Sequence, residues 1–241
     1  MCRVGRRLVL RRMAHPARHP ARLVWLLALV PAFAGCVQAR REARTAHGDA
    51  PLRCGPPVAL VNASDPVGWA AGLPDLETCE APPGYREVRV TTWLAIAYPS
   101  TMVRLVEYRG AVTGAVYLGY PAGLDYERRV REMYPACIPG PGHAGGGACR
   151  LPLNREPDWP ALLAVLDGED VWSLPPHGPR TERERNTVDG WGISVRLRRG
   201  GEYRQYAYTN PDSAASPARG RIARIAAAVE GAVGRGLEPG H

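Results

Sequence analysis

An α+β domain with an antiparallel sheet is predicted by three observations. Two stretches alternate apolar and polar residues around tight turns, at Arg109-Gly110 and at Gly200-Gly201. Three other stretches carry apolar residues at helical spacing. The order is hairpin, helix, helix, hairpin, helix, and runs of strands separated by helices give this class. The expected architecture is a sheet built from two hairpins, packed by two or three helices, as one domain behind a signal segment and a flexible tether.

Residues 1–35 read as an export signal. Residues 3–22 are rich in arginine, Leu23 to Val30 is an unbroken apolar run, and Pro31-Ala32-Phe33-Ala34-Gly35 follows. The apolar run is well short of the roughly 20 residues that span a bilayer. Met13 is an alternative start, which would also remove Cys2. Two cleavage sites compete. Ala32-Phe33-Ala34 fits the small-x-small site of ordinary secretion. Phe33-Ala34-Gly35-Cys36 resembles the lipobox of bacterial lipoproteins, in which the cysteine receives a diacylglycerol and becomes the new amino terminus. Ala34, Gly35 and Cys36 match that pattern, and Phe33 stands where Leu, Val or Ile is usual.

Cysteine count favours the second reading. Cys36, Cys54, Cys79, Cys137 and Cys149 follow the signal. With Cys36 lipidated, the other four are free to pair in an oxidising envelope. Four cysteines allow three pairings. The local one, Cys54–Cys79 and Cys137–Cys149, is expected because each pair brackets a loop. Residues 36–53 are polar and aperiodic and read as the lipidated, flexible tether. Val37 after the lipid site resembles the outer-membrane default of diderm lipoproteins, on the periplasmic side. Secretion or a free periplasmic form is the alternative address.

The folded domain is expected over 54–235, with 236–241 a disordered tail. Cys54 to Cys79 reads as loop and short turns. Val88, Val90 and Thr92 alternate with Glu87, Arg89 and Thr91, the pattern of a half-buried strand. Met102–Tyr108 and Ala111–Leu118 form the first hairpin. Asp125 is placed as the cap of a short helix with Tyr126, Val130, Met133 and Tyr134 on one face. Cys137 to Cys149 reads as a Gly/Pro loop. Asp158 caps a second helix with Leu162, Leu163 and Leu166 inward and Gly168 at its end. Trp191, Ile193, Val195 and Leu197 begin the second hairpin, and Tyr203 to Tyr208 returns. Ser216-Pro217 opens the last helix, with Ile222, Ile225, Ala226, Val229 and Val233 at helical spacing. Asp158 to Asp212 also resembles uncharacterised domains of bacterial lipoproteins. The resemblance rests on Val171 to Pro175, Asp189 to Trp191, Gly201 to Arg204 and Asn210 to Asp212, and it implies a fold without an activity.

Charge argues against nucleic acid. All 31 basic residues are arginine, for a net charge of +8. Seven of them precede Cys36 with no acid among them, leaving 24 against 23 acids. A phosphate-binding surface would have to survive signal removal.

The chemical motifs are thin. Gly140 to Gly145 spells G-x-G-x-x-G, but prolines at 139 and 141 and flanking cysteines deny it the strand-to-helix setting of a nucleotide loop. Cys137, His143 and Cys149 lack zinc spacing. His143 and His177 have no nucleophile motif beside them. Glu169 with Asp170, or Asp189 with Glu202, are the carboxylates available to an acid/base pair. Arg204, Tyr206 and Tyr208 share a strand face and form a candidate binding surface; the competing reading packs the tyrosines under the last helix. No catalytic residue, metal, nucleotide or other cofactor is called for. The expected role is a lipid-anchored envelope protein that binds or supports, with the membrane and an envelope protein or polymer as partners. The alternatives are an envelope-polymer hydrolase and an immunity-like inhibitor of a secreted enzyme.

Overall fold

The computed structural model describes residues 52–55, 65–94, 99–121, 123–140, 146–176, 190–211 and 216–237. The expected signal and most of the expected tether lie outside these residues. The fold is α+β, with a seven-stranded antiparallel sheet and a separate two-stranded one.

The two-stranded sheet pairs β1 (Arg53–Cys54) with β2 (Cys79–Glu80). Between them lie α1 (Pro66–Ala70) and a 3-10 turn, Leu76–Thr78. Asp65 caps α1 by accepting from the Gly68 amide at 2.9 Å. Cys54 and Cys79 face each other across the ladder and are joined by a disulfide. Arg53, the last residue of the expected tether, is thus already in a strand.

The large sheet is built from β3 (Tyr85–Leu94), β4 (Ser100–Tyr108), β5 (Ala111–Pro121), β6 (Ile138–Pro139), β7 (Gly146–Leu151), β8 (Trp191–Arg199) and β9 (Glu202–Thr209). Their spatial order is β6-β7-β5-β4-β3-β8-β9. Both expected hairpins are present. Arg109 and Gly110 both have positive φ, 53° and 79°, as a two-residue turn matched to strand twist requires. β3 is central, with Val90 opposite Val103 on one side and Val195 on the other. The stretch from Cys137 to Cys149, expected as a loop, carries β6 and β7 and extends the sheet. Its disulfide joins Cys137 to Cys149 beside the register pair Pro139 and Cys149.

Among the described residues after β5 there are three helices: α2 (Leu124–Met133), α3 (Trp159–Gly168) and α4 (Pro217–Leu237). The cap position of α2 is Gly123, not Asp125; Val130 is buried but Met133 is exposed. Asp158 caps α3 through the Ala161 amide at 2.9 Å, as expected. Its end differs from expectation. Asp170 takes the left-handed conformation at φ 53°, and the amides of Asp170 and Val171 bond back to the carbonyls of Asp167 and Leu166. Leu166 and Val171 are both fully buried, so an apolar contact accompanies this double bond, the usual way such a helix end is sealed. Ser216 caps α4 through the Arg219 amide. α4 runs to Leu237, past the expected edge at Arg235, and the Gly236 carbonyl accepts from the amides of Asn154 and Arg155.

The sheet has two buried faces. Val88, Val90, Val103, Leu105, Val116, Ile193, Val195 and Leu197 meet Leu162, Leu163 and Leu166 of α3 and Ile222, Ile225 and Val229 of α4 in one apolar core. On the other face α1 lays Val67 and Ala70 on Met102, Tyr117 and Ala148. The polar half of β3, expected to be its unburied side, is buried there as well. Glu87 and Arg89 are both 0% exposed.

Candidate functional site

Two places gather chemistry. The first is the polar sheet face under the amino-terminal segment. β3 presents Tyr85, Glu87, Arg89 and Thr91 at a spacing of two, which puts them on one face. The neighbouring strands set Arg104 on β4 and Ser194, Arg196 and Arg198 on β8 beside them. Glu87 Oε1 accepts from Arg89 Nε at 2.7 Å and from Arg104 Nε at 2.8 Å. Glu87 Oε2 accepts from Arg104 Nη2 at 3.1 Å and from the Tyr85 hydroxyl. Arg89 Nη1 reaches up to Asp65 at the start of α1, 2.8 Å away. Arg196 Nη1 lies 3.6 Å from the same carboxylate and donates to Ser194 Oγ at 3.2 Å. A Cβ on Gly68 would fall 2.2 Å from the Asp65 carboxylate and 2.8 Å from Arg89 Nη1, so only glycine lets α1 come this close.

Burial and charge compete within this network. Burial alone pushes the Glu87 carboxyl up. The guanidiniums of Arg89 and Arg104, with the hydrogen bonds from Arg104 and Tyr85, outweigh it and hold the group at about 2. Burial also works against the charge on Arg89, but the Glu87 and Asp65 carboxylates more than restore it. Burial, then the Glu87 charge, pushes the Tyr85 phenol up. Arg196 ends below its usual range, because burial exceeds what Asp65 returns. The arrangement fixes the amino-terminal segment to the sheet by charge.

The second place is a cleft of about 570 Å³ where the far ends of β3 and β8 meet α4. Leu94, Pro99 and Trp191 line it from the sheet side, with Ala223, Ala227 and Val233 from the helix. Leu94 is 64% exposed, and Trp191 packs against the core while lining the cleft. Glu230 is the one charged side chain among the described lining residues. This is the size and apolar character of a small-ligand site.

The residues singled out by sequence fall elsewhere. Arg204, Tyr206 and Tyr208 do share a face, but it is a packing face. Tyr206 and Tyr208 are buried, and their hydroxyls donate to the carbonyls of Val171 at 2.9 Å and Pro175 at 2.5 Å. Arg204 Nη2 donates to the Leu174 carbonyl at 3.2 Å. The three clamp the turn after α3, which corrects the expectation of a binding surface. Glu169 is engaged by Arg224 through two bonds, at 2.7 and 2.8 Å, and Asp170 by Arg221 at 3.4 Å and by Ser173. Glu202 pairs with Arg199 at 2.9 Å. His143, His177, Asp189 and Asp212, Cys36 and residues 141–145 of the glycine motif lie outside the described residues. Among the described residues no group of His, Cys, Asp and Glu is placed to hold a metal. No helix among them is long and apolar enough to cross a membrane.

The ionic face was missed because alternation alone does not say that the polar side is covered. Its signal was available in the spacing: Glu87-x-Arg89 and Arg196-x-Arg198 on strands with nothing but a disulfide-stapled segment left to lie over them. Gly190 and Asn210 pack closely at the start of β8. A Cβ on Gly190 would fall 1.5 Å from Asn210 Oδ1, and the Asn210 amide donates to the Trp191 carbonyl at 2.7 Å.

No protein-family model, no curated protein and no solved structure matches the chain.

Proposed function

We propose that this chain is an exported lipoprotein, anchored through Cys36, whose folded domain binds a ligand or partner in the bacterial envelope without turning it over. The observation that carries the reading is the cysteine pairing. Cys54 with Cys79 and Cys137 with Cys149 take up every cysteine after Cys36. Two disulfides suit an oxidising compartment, and Cys36 is left over at the position where the lipobox resemblance needs it. Buried acyl chains add ~0.8 kcal/mol per methylene, so two or three of them make a permanent anchor. Anchoring to the outer membrane on its periplasmic side is the form that Val37 favours. The cleft beside Trp191 is the recognition site of this reading, because it joins exposed apolar surface to a single carboxylate.

The test is the intact mass of the full chain after expression in a bacterium and extraction from membranes, with and without reduction. The reading expects a product that begins at Cys36 with acyl chains attached, and a mass gain on reduction that matches two opened disulfides. A soluble, unacylated product beginning at Gly35 would replace the anchor with secretion.

A further inference from the structure

The sheet face under the amino-terminal segment gathers arginines. Arg89, Arg104, Arg196 and Arg198 lie side by side on three adjacent strands, with Asp65 and Glu87 in ion pairs among them and Asp75 acting on Arg196. Arg89, Arg196 and Arg198 are 0%, 5% and 7% exposed. Arg89 Nη2, Arg196 Nε and Arg198 Nε are buried and meet no hydrogen-bond partner. Leaving a buried donor unpaired costs about 1–3 kcal/mol, and more where the donor sits on a charged group. Three such donors on one patch, all on guanidiniums, call for an acceptor that carries charge.

We infer that this patch binds a compact oxyanion of the phosphate or sulfate type, held chiefly by Arg196 and Arg198. The two arginines are two positions apart on β8, so their Cα atoms stand about 7 Å apart on one face. A tetrahedral oxyanion that accepts at about 2.8–2.9 Å from each guanidinium spans that separation. Arg89, opposite Arg196 in the ladder, supplies the third donor. The planar guanidinium fork suits an oxyanion better than a halide, which has no second oxygen to fill it. β9 is the edge strand beside them, and its exposed Gln205 and half-buried Tyr203 lie opposite Arg196 and Arg198. The site is independent of the cleft and of the lipid anchor.

The experiment is thermal unfolding of the full chain at fixed pH and fixed ionic strength, with inorganic phosphate, sulfate or chloride as the varied anion. Phosphate and sulfate are expected to raise Tm with the logarithm of anion concentration above Kd, by about 3–5 °C at roughly ten times Kd. General salting effects rise in proportion to concentration, and they act equally on any variant. Arg198→Met should abolish the logarithmic rise. It should also leave the anion-free protein as stable as wild type or more so, because it removes a buried donor that has no partner. Arg198→Gln, which keeps polarity, should lose the rise as well. Equilibrium dialysis against labelled phosphate should give saturable uptake by wild type and none by either variant. A phosphate rise that persists unchanged in Arg198→Met and Arg198→Gln would overturn the inference. So would an equal logarithmic rise with chloride, or a variant that is simply destabilised while still taking up phosphate.

Discussion

On one face of the sheet Val88, Val90, Val195 and Leu197 meet α3 and α4 through carbon alone. On the other, one residue along in each strand, Glu87 pairs with Arg89, and Arg89 and Arg196 meet Asp65 at the start of α1 through charge. Both faces exclude water, but they answer differently to damage. An apolar contact is graded by volume, so part of it survives when a side chain is trimmed. An ionic network is balanced, and removing one member leaves its partners buried and unpaired. The amino-terminal segment is therefore held by an all-or-none contact, while the helices are held by a cumulative one.

The contrast is sharpest in conservative replacements. Glu87→Ala should destabilise by about 3–5 kcal/mol, since Arg89 and Arg104 both lose their partner. Glu87→Gln should recover little of this, because shape is kept and charge is not. Leu166→Ala on the other face should also cost about 2–5 kcal/mol, but Leu166→Met should cost less than about 1.5 kcal/mol. Urea unfolding of the four variants separates the cases. If Glu87→Gln behaved like Leu166→Met, the polar face would be held by packing and the comparison would fail.

Acid gives a smaller effect on the same contrast. The Glu87 carboxyl is held at about 2 in the folded chain, against about 4.3 in an unfolded one. Its contribution to folding is complete above about pH 4.3 and is lost as pH falls through 2. The loss is roughly 3 kcal/mol at most. The apolar core on the other face contains no carboxyl among the described residues. The segment from Cys54 to Glu80 should therefore loosen before the helical layer does, and hydrogen exchange at pH 3 should speed up first at the Gly68 and Trp69 amides. Equal acceleration at Leu166 and Ile225 would mean the two faces open together.

The sequence made the apolar half of this molecule legible and hid the ionic half. Both hairpins, the Asp158 cap, the Ser216 opening and both disulfides followed from turn chemistry, capping and cysteine bracketing, which act over a few residues. β7 was hidden because glycines at 146 and 147 read as loop, although Ala148, Cys149 and Leu151 fill the edge of the core once paired with β5. Arg204, Tyr206 and Tyr208 read equally well as surface or as clamp. Only the placement of Val171 to Pro175 beneath them decides it. The Glu87 network was hidden because what covers a strand's polar side is a long-range fact, settled here by Asp65, 24 residues from Arg89.

The smallest expected effect marks the limit of charge as an argument in this fold. Glu169 and Arg224 make a two-bond pair as short as the ion pairs of Glu87 in the buried network. The pair holds the Glu169 carboxyl down, mainly through the Arg224 hydrogen bonds. Yet the Arg224 side chain is 60% exposed, against 18% for Glu169, so water and salt screen the pair from the arginine side. Arg224→Ala should leave the urea midpoint of unfolding almost unmoved, and raising salt should not shift it further. A large loss there would mean that geometry rather than burial decides what an ion pair is worth in this protein. The Glu87 cluster would then differ from it in degree and not in kind.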